Sequence, residues 1–219
     1  MTFSARVGPT VGLYQVDSTA TVTNLSTGES ATGRSDDAWE SAFGLQAGFG
    51  GGMGNFFGDI AIEYLDVNSD AVDKRTDVLL TGGYLIGQHW SAFAGYRRGM
   101  QGDSAFNDDN FDESGFFVGA GIGGVEMGPV LFGASAAYNF SKVDNFVPGE
   151  KFDYQGISLK VSAAPKSMPQ HSLQLRYQRF NGDGSPNFDL DGDGVDDINI
   201  NFDLTESYVQ LTYAYAFVF

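Results

Sequence analysis

The chain has 219 residues, and 28 acidic residues against 12 lysines and arginines give it a formal net charge of −16. This charge argues against a nucleic-acid-binding protein, which needs a basic patch, and the 14% of aromatic residues argue against intrinsic disorder. The absence of cysteine excludes disulfides, thiolate metal sites and a cysteine nucleophile, and no apolar run approaches the ~18 residues of a membrane-spanning helix.

The clearest pattern along the chain is an alternation with a period of two, which places successive side chains on opposite faces of a β-strand. In the last segment, large apolar residues from Val209 to Phe219 alternate with small or polar ones such as Gln210 and Thr212. Most segments have the length, about 9–11 residues, that a tilted strand needs to cross a bilayer. The ten predicted strands are 2–16, 38–49, 56–66, 76–86, 90–101, 114–125, 129–141, 152–163, 171–180 and 206–219.

The connections between these strands are alternately long and short. The long ones are 17–38, 66–75, 102–113, 142–151 and 181–206, and the short ones are 50–55, 87–89, 126–128 and 164–170. The five long connections carry 22 acidic and 5 basic residues, whereas the rest of the chain carries 6 acidic and 7 basic ones. The surplus negative charge therefore lies at one end. Long loops at one end and short turns at the other are typical of an outer-membrane β-barrel.

Two alternatives to a ten-stranded membrane barrel remain open on the sequence alone. Eight strands would result if two of the segments were loop hairpins, and the fourth and eighth segments alternate least regularly. A soluble ligand-binding barrel would show the same alternation, but with its polar face outward and its apolar face inward.

The C-terminal strand supplies the most specific signal. One of its faces ends in four aromatic residues, Tyr213, Tyr215, Phe217 and Phe219. This ending resembles the terminal assembly signal of small bacterial outer-membrane β-barrel proteins, and the resemblance covers essentially the whole chain as a single domain, 1–219. It implies an all-β, antiparallel up-and-down transmembrane barrel in the bacterial outer membrane, with acidic extracellular loops and short periplasmic turns. It also implies three partners: outer-membrane lipid, lipopolysaccharide, and the insertion machinery that reads the signal. We expect the sequence to represent a mature chain without its signal peptide.

Aromatic residues near the strand ends predict two girdles at the water interfaces of the membrane. The residues expected in the girdles are Tyr14, Tyr64, Tyr84, Trp90, Tyr96, Tyr138, Tyr177, Phe217 and Phe219.

We expect ion pairs inside the barrel, because an unpartnered charge in a narrow lumen is costly. Counted from the short-turn end, the inward charges form two layers of mixed sign. The lower layer is Arg6, Asp59, Lys160 and Arg176, and the upper layer is Glu40, Glu63, Asp77 and Arg97. A ten-stranded barrel is little wider than the eight-stranded kind that side chains fill. We therefore expect a largely filled lumen without general diffusion, and a narrow channel for small solutes is the alternative.

One loop carries a pattern with metal chemistry. Four carboxylates occupy loop positions 1, 3, 5 and 9, glycine stands at position 6, and a carbonyl at position 7 would be a further oxygen ligand for Ca²⁺. The expected ligands are Asp189, Asp191, Asp193, Val195 and Asp197. The segment resembles the Asp-rich calcium loops of thrombospondin type-3 and dockerin repeats. It departs from the EF-hand at position 12, where Ile200 replaces glutamate, so Asp183, Asn199, Asn201 or Asp203 would complete the site.

The sequence predicts no enzyme. Both histidines, His89 and His171, fall at short turns, opposite the end where outer-membrane enzymes place a histidine with Asp, Ser or Glu. A nucleophile, a base and an orienting group are therefore not assembled, although a pair of carboxylates of the glycosidase type stays open. We expect a structural or surface-interaction role.

Overall fold

The computed structural model describes residues 2–36, 38–68, 74–102, 111–144 and 151–219, without the side chains of Asp36 and Phe111. Parts of three predicted long connections, 69–73, 103–110 and 145–150, lie outside these residues. Within the described ranges, no helix is long and apolar enough to cross a membrane.

The described chain forms twelve antiparallel β-strands. They are β1 (Thr2–Asn24), β2 (Ser30–Asp36), β3 (Glu40–Met53), β4 (Phe56–Val67), β5 (Lys74–Ile86), β6 (Trp90–Gly102), β7 (Phe111–Met127), β8 (Val130–Asp144), β9 (Lys151–Pro165), β10 (His171–Gly184), β11 (Asn187–Phe188) and β12 (Ile198–Val218). Strands β1, β3 to β10 and β12 each pair with the next, and β12 pairs with β1. The barrel is therefore closed with ten strands, which confirms the predicted number and excludes eight.

Strands β1 and β12 are longer than predicted and rise above their neighbours at the long-loop end. Their pairing runs from Ser4 opposite Val218 to Asn24 opposite Ile198, and β2 folds back on the upper part of β1. Much of the predicted connections 17–38 and 181–206 is therefore sheet. These segments are rich in threonine, valine, isoleucine and asparagine, and neither face is strongly apolar. The alternation of apolar and polar residues is therefore weak there, although the strands continue.

Tight turns join the strands at the other end. Gly54 and Gly87 have φ angles of 62° and 70° in two of these turns, a left-handed conformation that glycine adopts without a steric cost. The short connections predicted at this end are thus turns of a few residues.

The outer surface of the barrel is a band of exposed apolar side chains. Phe43 and Leu45 on β3, Leu80 on β5 and Phe116 on β7 expose more than half of their surface. A closed barrel pairs all its strands and leaves no open edge, and only such a sheet can place an apolar outer face in hydrocarbon. The chain is therefore built as a bacterial outer-membrane β-barrel. The soluble barrel, with polar groups outward, is excluded.

Most of the aromatic residues predicted for the girdles lie on this outer surface. Trp90 and Phe219 at the short-turn end, and Tyr64 and Tyr96 nearer the long-loop end, are exposed. The prediction is wrong for Tyr14, which is 1% exposed and points into the lumen. Its strand continues to Asn24, so Tyr14 is not at a strand end, and the alternation places it on the lumen face with Thr10 and Gly12.

A charge on the outer band tests the membrane assignment. Leu80→Arg places a guanidinium in the middle of the band and should cost ~2–4 kcal/mol of unfolding free energy, against about 0–1 kcal/mol for Tyr84→Arg near the interface. Denaturant unfolding of both variants in lipid vesicles measures the difference. If both substitutions stayed within about 0.5 kcal/mol of the wild type, as at an ordinary water-exposed site, the outer band would not face lipid.

Candidate functional site

The upper lumen is crossed by a buried network centred on Arg75. Its guanidinium donates to Asp77 Oδ2 at 2.9 Å from Nε and to Glu113 Oε2 at 2.9 Å from Nη2. Its Nη1 lies 3.3 Å from Glu206 Oε2 and also donates to the Tyr208 hydroxyl. Strands β5, β7 and β12 supply these groups, so a single side chain ties together separate parts of the wall.

Glu206 accepts hydrogen bonds from four further side chains. Its Oε1 accepts hydrogen bonds from Tyr14 at 3.0 Å and from Gln101 at 2.9 Å. Its Oε2 accepts from Tyr208 at 2.9 Å and from Tyr154. A buried carboxylate that accepts this many bonds is compensated for its lost hydration. Its position fixes β1, β6, β9 and β12 relative to one another.

A second arginine extends the network toward the aromatic side chains. Arg97 Nη2 lies 3.1 Å from Asp77 Oδ1 and 3.6 Å from Glu113 Oε2, and its guanidinium carbon lies 4.5 Å from the centre of the Phe180 ring. We call these buried groups together the plug: Arg75, Arg97, Asp77, Glu113, Glu206, Tyr14, Tyr154, Phe180 and Tyr208. Leu65, Val67, Val143, Phe152, Phe202 and Leu204 pack around it as an apolar cluster. This part of the lumen is filled, as predicted.

Arg75, Glu113 and Glu206 were not among the residues predicted for the lumen. The predicted strands began at 76, 114 and 206, so the first two fell in connections and the third was counted with its loop. The signal that could have found them is the alternation itself. Arg75 precedes Asp77 by two positions, and Glu206 precedes Tyr208 by two, so each shares its neighbour's face.

The predicted lumen charges divide into pairs that the structure brings together and residues that it leaves unpaired. Arg6 and Asp59 form a bidentate pair with two contacts of 2.6 Å, and Asp77 joins Arg97 in the plug. Arg176 pairs with Glu63, although the two were expected in different layers. The tilt of the strands brings residues counted at different heights on β4 and β10 to the same level.

Two of the residues predicted in lumen ion pairs have none among the described residues. Lys160 is one of them, and the nearby Asp59 carboxylate is paired with Arg6. Glu40 is the first residue of β3 and forms no ion pair there either. It lies beside Tyr14 in register, at the rim of the barrel where water can solvate it.

Below the plug, the lumen widens into a cavity of about 1060 Å³ that we call the vestibule. Gln178 and Arg176 line its upper end, and Gln88, His89 and Gly124 line its mouth among the short turns. The prediction of a largely filled lumen therefore holds for the upper part only. Glycine, alanine and serine on β3, β7, β8 and β9 leave the space free.

The loop 189–197 folds around its own carboxylates. Carboxylate oxygens of Asp189, Asp191 and Asp197 lie within 4.8 Å of one another. Asp189 accepts the N–H groups of Gly192 and Gly194, each at 2.7 Å. Asp193 lies outside this group, and its carboxylate accepts the N–H of Val195 at 2.8 Å. Three of the predicted carboxylate ligands are therefore together, and the fourth lies apart from them.

This loop stands at the tip of the raised β1–β12 wall. The N–H of Leu25, in the turn after β1, donates to the carbonyl of Asp197 at 2.8 Å, and the N–H of Asp197 donates to Phe188 at 2.7 Å. The N–H groups of Gly194 and Gly192 hold the pKa of the Asp189 carboxyl below its ordinary value. The stabilisation of the loop by the ionised Asp189 is thus fully present above the ordinary aspartate pKa. It is lost as the pH falls through the lowered pKa of the folded loop.

The remaining predicted residues lie at the short-turn end. Tyr213 and Phe217 are exposed on the outer face of β12, Tyr215 is partly buried beside His171, and Phe219 is exposed. His89 lies in the turn before β6 with Nδ1 3.1 Å from the Gly123 carbonyl. Both histidines are thus at the end opposite the long loops.

Comparison with protein-family models and with curated proteins gives no match. Among solved structures, the chain is similar to the outer-membrane protease OmpT of Escherichia coli, with 11% identity over 98% of this chain and 97% of that one, at a TM-score of 0.48. It is also similar to neisserial surface protein A, with 12% identity over 95% of each chain and a TM-score of 0.33. It is similar as well to a FadL homologue of Pseudomonas aeruginosa, with 10% identity over 97% of this chain and 90% of that one, at a TM-score of 0.35. At these values the likeness says nothing about activity or ligand.

Removing an arginine from the plug should destabilise the barrel strongly. Arg75→Ala leaves three buried carboxylates without their shared cation and should lower the unfolding free energy by ~3–5 kcal/mol. Arg98→Ala is the matched control, because Arg98 pairs with Asp112 on the exposed surface at 3.0 Å, where loss of a pair costs about 1 kcal/mol or less. Urea unfolding in lipid vesicles compares the two. Equal losses would contradict a structural role of the plug.

Proposed function

We propose that this outer-membrane barrel is a non-conducting structural or surface-interaction protein that presents acidic loops ordered by Ca²⁺. The observation that carries the proposal is the plug. Arg75 bonds to three carboxylates from three strands, and the tyrosines around Glu206 occupy the section between the vestibule and the long-loop end. A solute would have to break these bonds to pass.

Binding and support are better candidates than catalysis for this chain. Outer-rim catalysis would need a base near the long loops, and both histidines lie at the opposite end. The buried carboxylates of the plug are held by arginine and tyrosine donors, which oppose their use as an acid–base pair. The partners that fit are outer-membrane lipid and lipopolysaccharide around the apolar band, and the insertion machinery for the aromatic C-terminus.

Conductance tests the closed lumen. The wild type in a planar lipid bilayer should give no stable large ohmic steps, because the ion-paired plug blocks the aqueous path. Tyr154→Ala removes a plug ring and should increase brief current events, whereas Tyr138→Ala removes a tyrosine from the outer surface and should not. Heat-modifiable migration on gels checks that each barrel is folded. Stable large steps from the wild type would favour the alternative of a channel.

The Ca²⁺ proposal is supported by the loop 189–197. Three carboxylates within reach of one ion match the oxygen ligands that Ca²⁺ prefers, and Gly192 and Gly194, with φ angles of 79° and 85°, make the tight turns around them. The Val195 carbonyl and Asp193 are further candidates, the latter after turning from the backbone. The five long connections are acidic, so a bound Ca²⁺ ion would have a second role. It would offset the repulsion among these loops and between the loops and anionic lipopolysaccharide.

Chelation should loosen this loop without unfolding the barrel. With EDTA, a serine protease that cleaves after acidic residues should cut faster within 189–197, because the carboxylates then repel one another. Titration calorimetry should show Ca²⁺ binding at about the millimolar level of extracellular modules. Asp191→Ala should abolish the binding heat, and Asp196→Ala, in the same loop but outside the cluster, should retain it. Equal cleavage with and without Ca²⁺ would contradict the proposal.

A further inference from the structure

The vestibule has the opposite charge to the protein as a whole. Among its described lining residues are three lysine or arginine side chains, Arg6, Lys160 and Arg176, and a single carboxylate, Asp59. The whole chain carries a net charge of −16. A positively charged cavity inside so acidic a protein is a local feature, and the focused field of a low-dielectric cleft attracts anions.

Two of the three cations are already neutralised. Arg6 holds Asp59 in a bidentate pair, and Arg176 holds Glu63, which is buried above the vestibule. Lys160 has no such partner among the described residues. Its neighbours in register are Ser135 on β8 and Arg176 on β10, so neither adjacent strand offers it a carboxylate. Its charge is therefore available to a ligand.

The surroundings of Lys160 would complete a site for an anionic group. Ser158 and Ser162 share its face of β9, two positions to either side, and both line the vestibule. The Ser158 hydroxyl can donate a hydrogen bond to an oxygen of a carboxylate or phosphate, and the Ser162 hydroxyl can do so in place of its 3.5 Å contact with the Gly133 carbonyl. Strand β4 lies five strands away in the ring of ten, and thus opposite β9. From β4 and β6, Phe57 and Phe93 contribute apolar surface to the same cavity.

We propose that the vestibule is a binding site for a small amphiphilic anion that enters from the short-turn end. Its carboxylate or phosphate binds Lys160 and the serine hydroxyls, and its apolar part packs against the phenylalanine rings. The cavity volume of about 1060 Å³ is ample for such a molecule. The plug closes the cavity above, so the ligand leaves by the way it entered. The site goes beyond the surface role and requires neither Ca²⁺ nor a surface partner.

Labelling with pyridoxal 5′-phosphate reports directly on Lys160. Its aldehyde condenses with the Nζ amine and releases water, and borohydride then reduces the imine to a stable secondary amine that peptide mass spectrometry locates. Pyridoxal, which lacks the phosphate, corrects for the intrinsic reactivity of each amine. In the full chain in zwitterionic lipid nanodiscs, Lys160 is the amine that reacts, while the positive charge of the vestibule and the serine hydroxyls attract the phosphate. The phosphate-to-pyridoxal rate ratio at Lys160 should therefore exceed that at Lys166 by about tenfold, roughly the effect of one charge-assisted hydrogen bond. Lys166 is the control, since it lies at the same end of the barrel and pairs with Glu126 at 2.5 Å.

Competition identifies the ligand class. Octanoate and octyl phosphate should each protect Lys160 but not Lys166, whereas 1-octanol, without a charge, should not protect either lysine. Protection by acetate as strong as by octanoate would indicate a site for any small anion and would overturn the amphiphile. Equal rate ratios at the two lysines, or protection by 1-octanol, would overturn the anion site. Conductance plays no part in these measurements, so their failure is distinguishable from failure of the closed lumen.

Discussion

The pairing of the first strand with the last is the constraint on which the rest of this structure depends. Without the ladder between β1 and β12, two strand edges would stand unpaired in hydrocarbon, where each lost backbone hydrogen bond costs several kcal/mol. Closure turns the sheet into a tube and separates an apolar outside from an inside with limited room. All the features of the lumen are responses to that enclosure.

The upper and lower parts of the lumen differ in how their side chains use the enclosed space. In its upper part, long charged and aromatic side chains satisfy one another, and Arg75 and Glu206 act as the two centres of the network. In its lower part, small residues leave space, and Arg6 on β1 pairs with Asp59 on β4 over the intervening strand β3. The described part of the tube thus holds buried side chains toward the long loops and a cavity toward the short turns, where Lys160 has no ion pair with the described residues.

The strands could be predicted from the sequence because lipid outside and polar groups inside impose an alternation on every membrane-spanning segment. The prediction lost accuracy above the membrane, where both faces meet water and the contrast disappears. For that reason the predicted β1 and β12 are shorter than the observed strands, and the strand ends that carry Arg75 and Glu113 fall in predicted connections.

Ion-pair partners inside the lumen could be predicted only where the two residues lie at the same height above the short turns, as Arg6 and Asp59 do. The pair of Arg176 with Glu63 depends on the stagger between strands, which no local pattern encodes. For the Asp-rich loop, spacing predicted which carboxylates gather, but not that Asp193 turns toward Val195.

The place of Glu206 in the chain has a consequence for how the barrel reaches its final state. Arg75, Asp77, Arg97 and Glu113 come from the middle of the chain, on strands that are neighbours in the sheet, whereas Glu206 belongs to the last strand. An unclosed sheet can therefore assemble the part of the network around Arg75, Asp77, Arg97 and Glu113, whereas the contact of Glu206 with Tyr14 forms only when β12 docks against β1. Sealing the tube and neutralising its interior are then one cooperative event. Opening the seam between β1 and β12 would therefore expose this buried carboxylate together with Arg75, which donates a hydrogen bond to it.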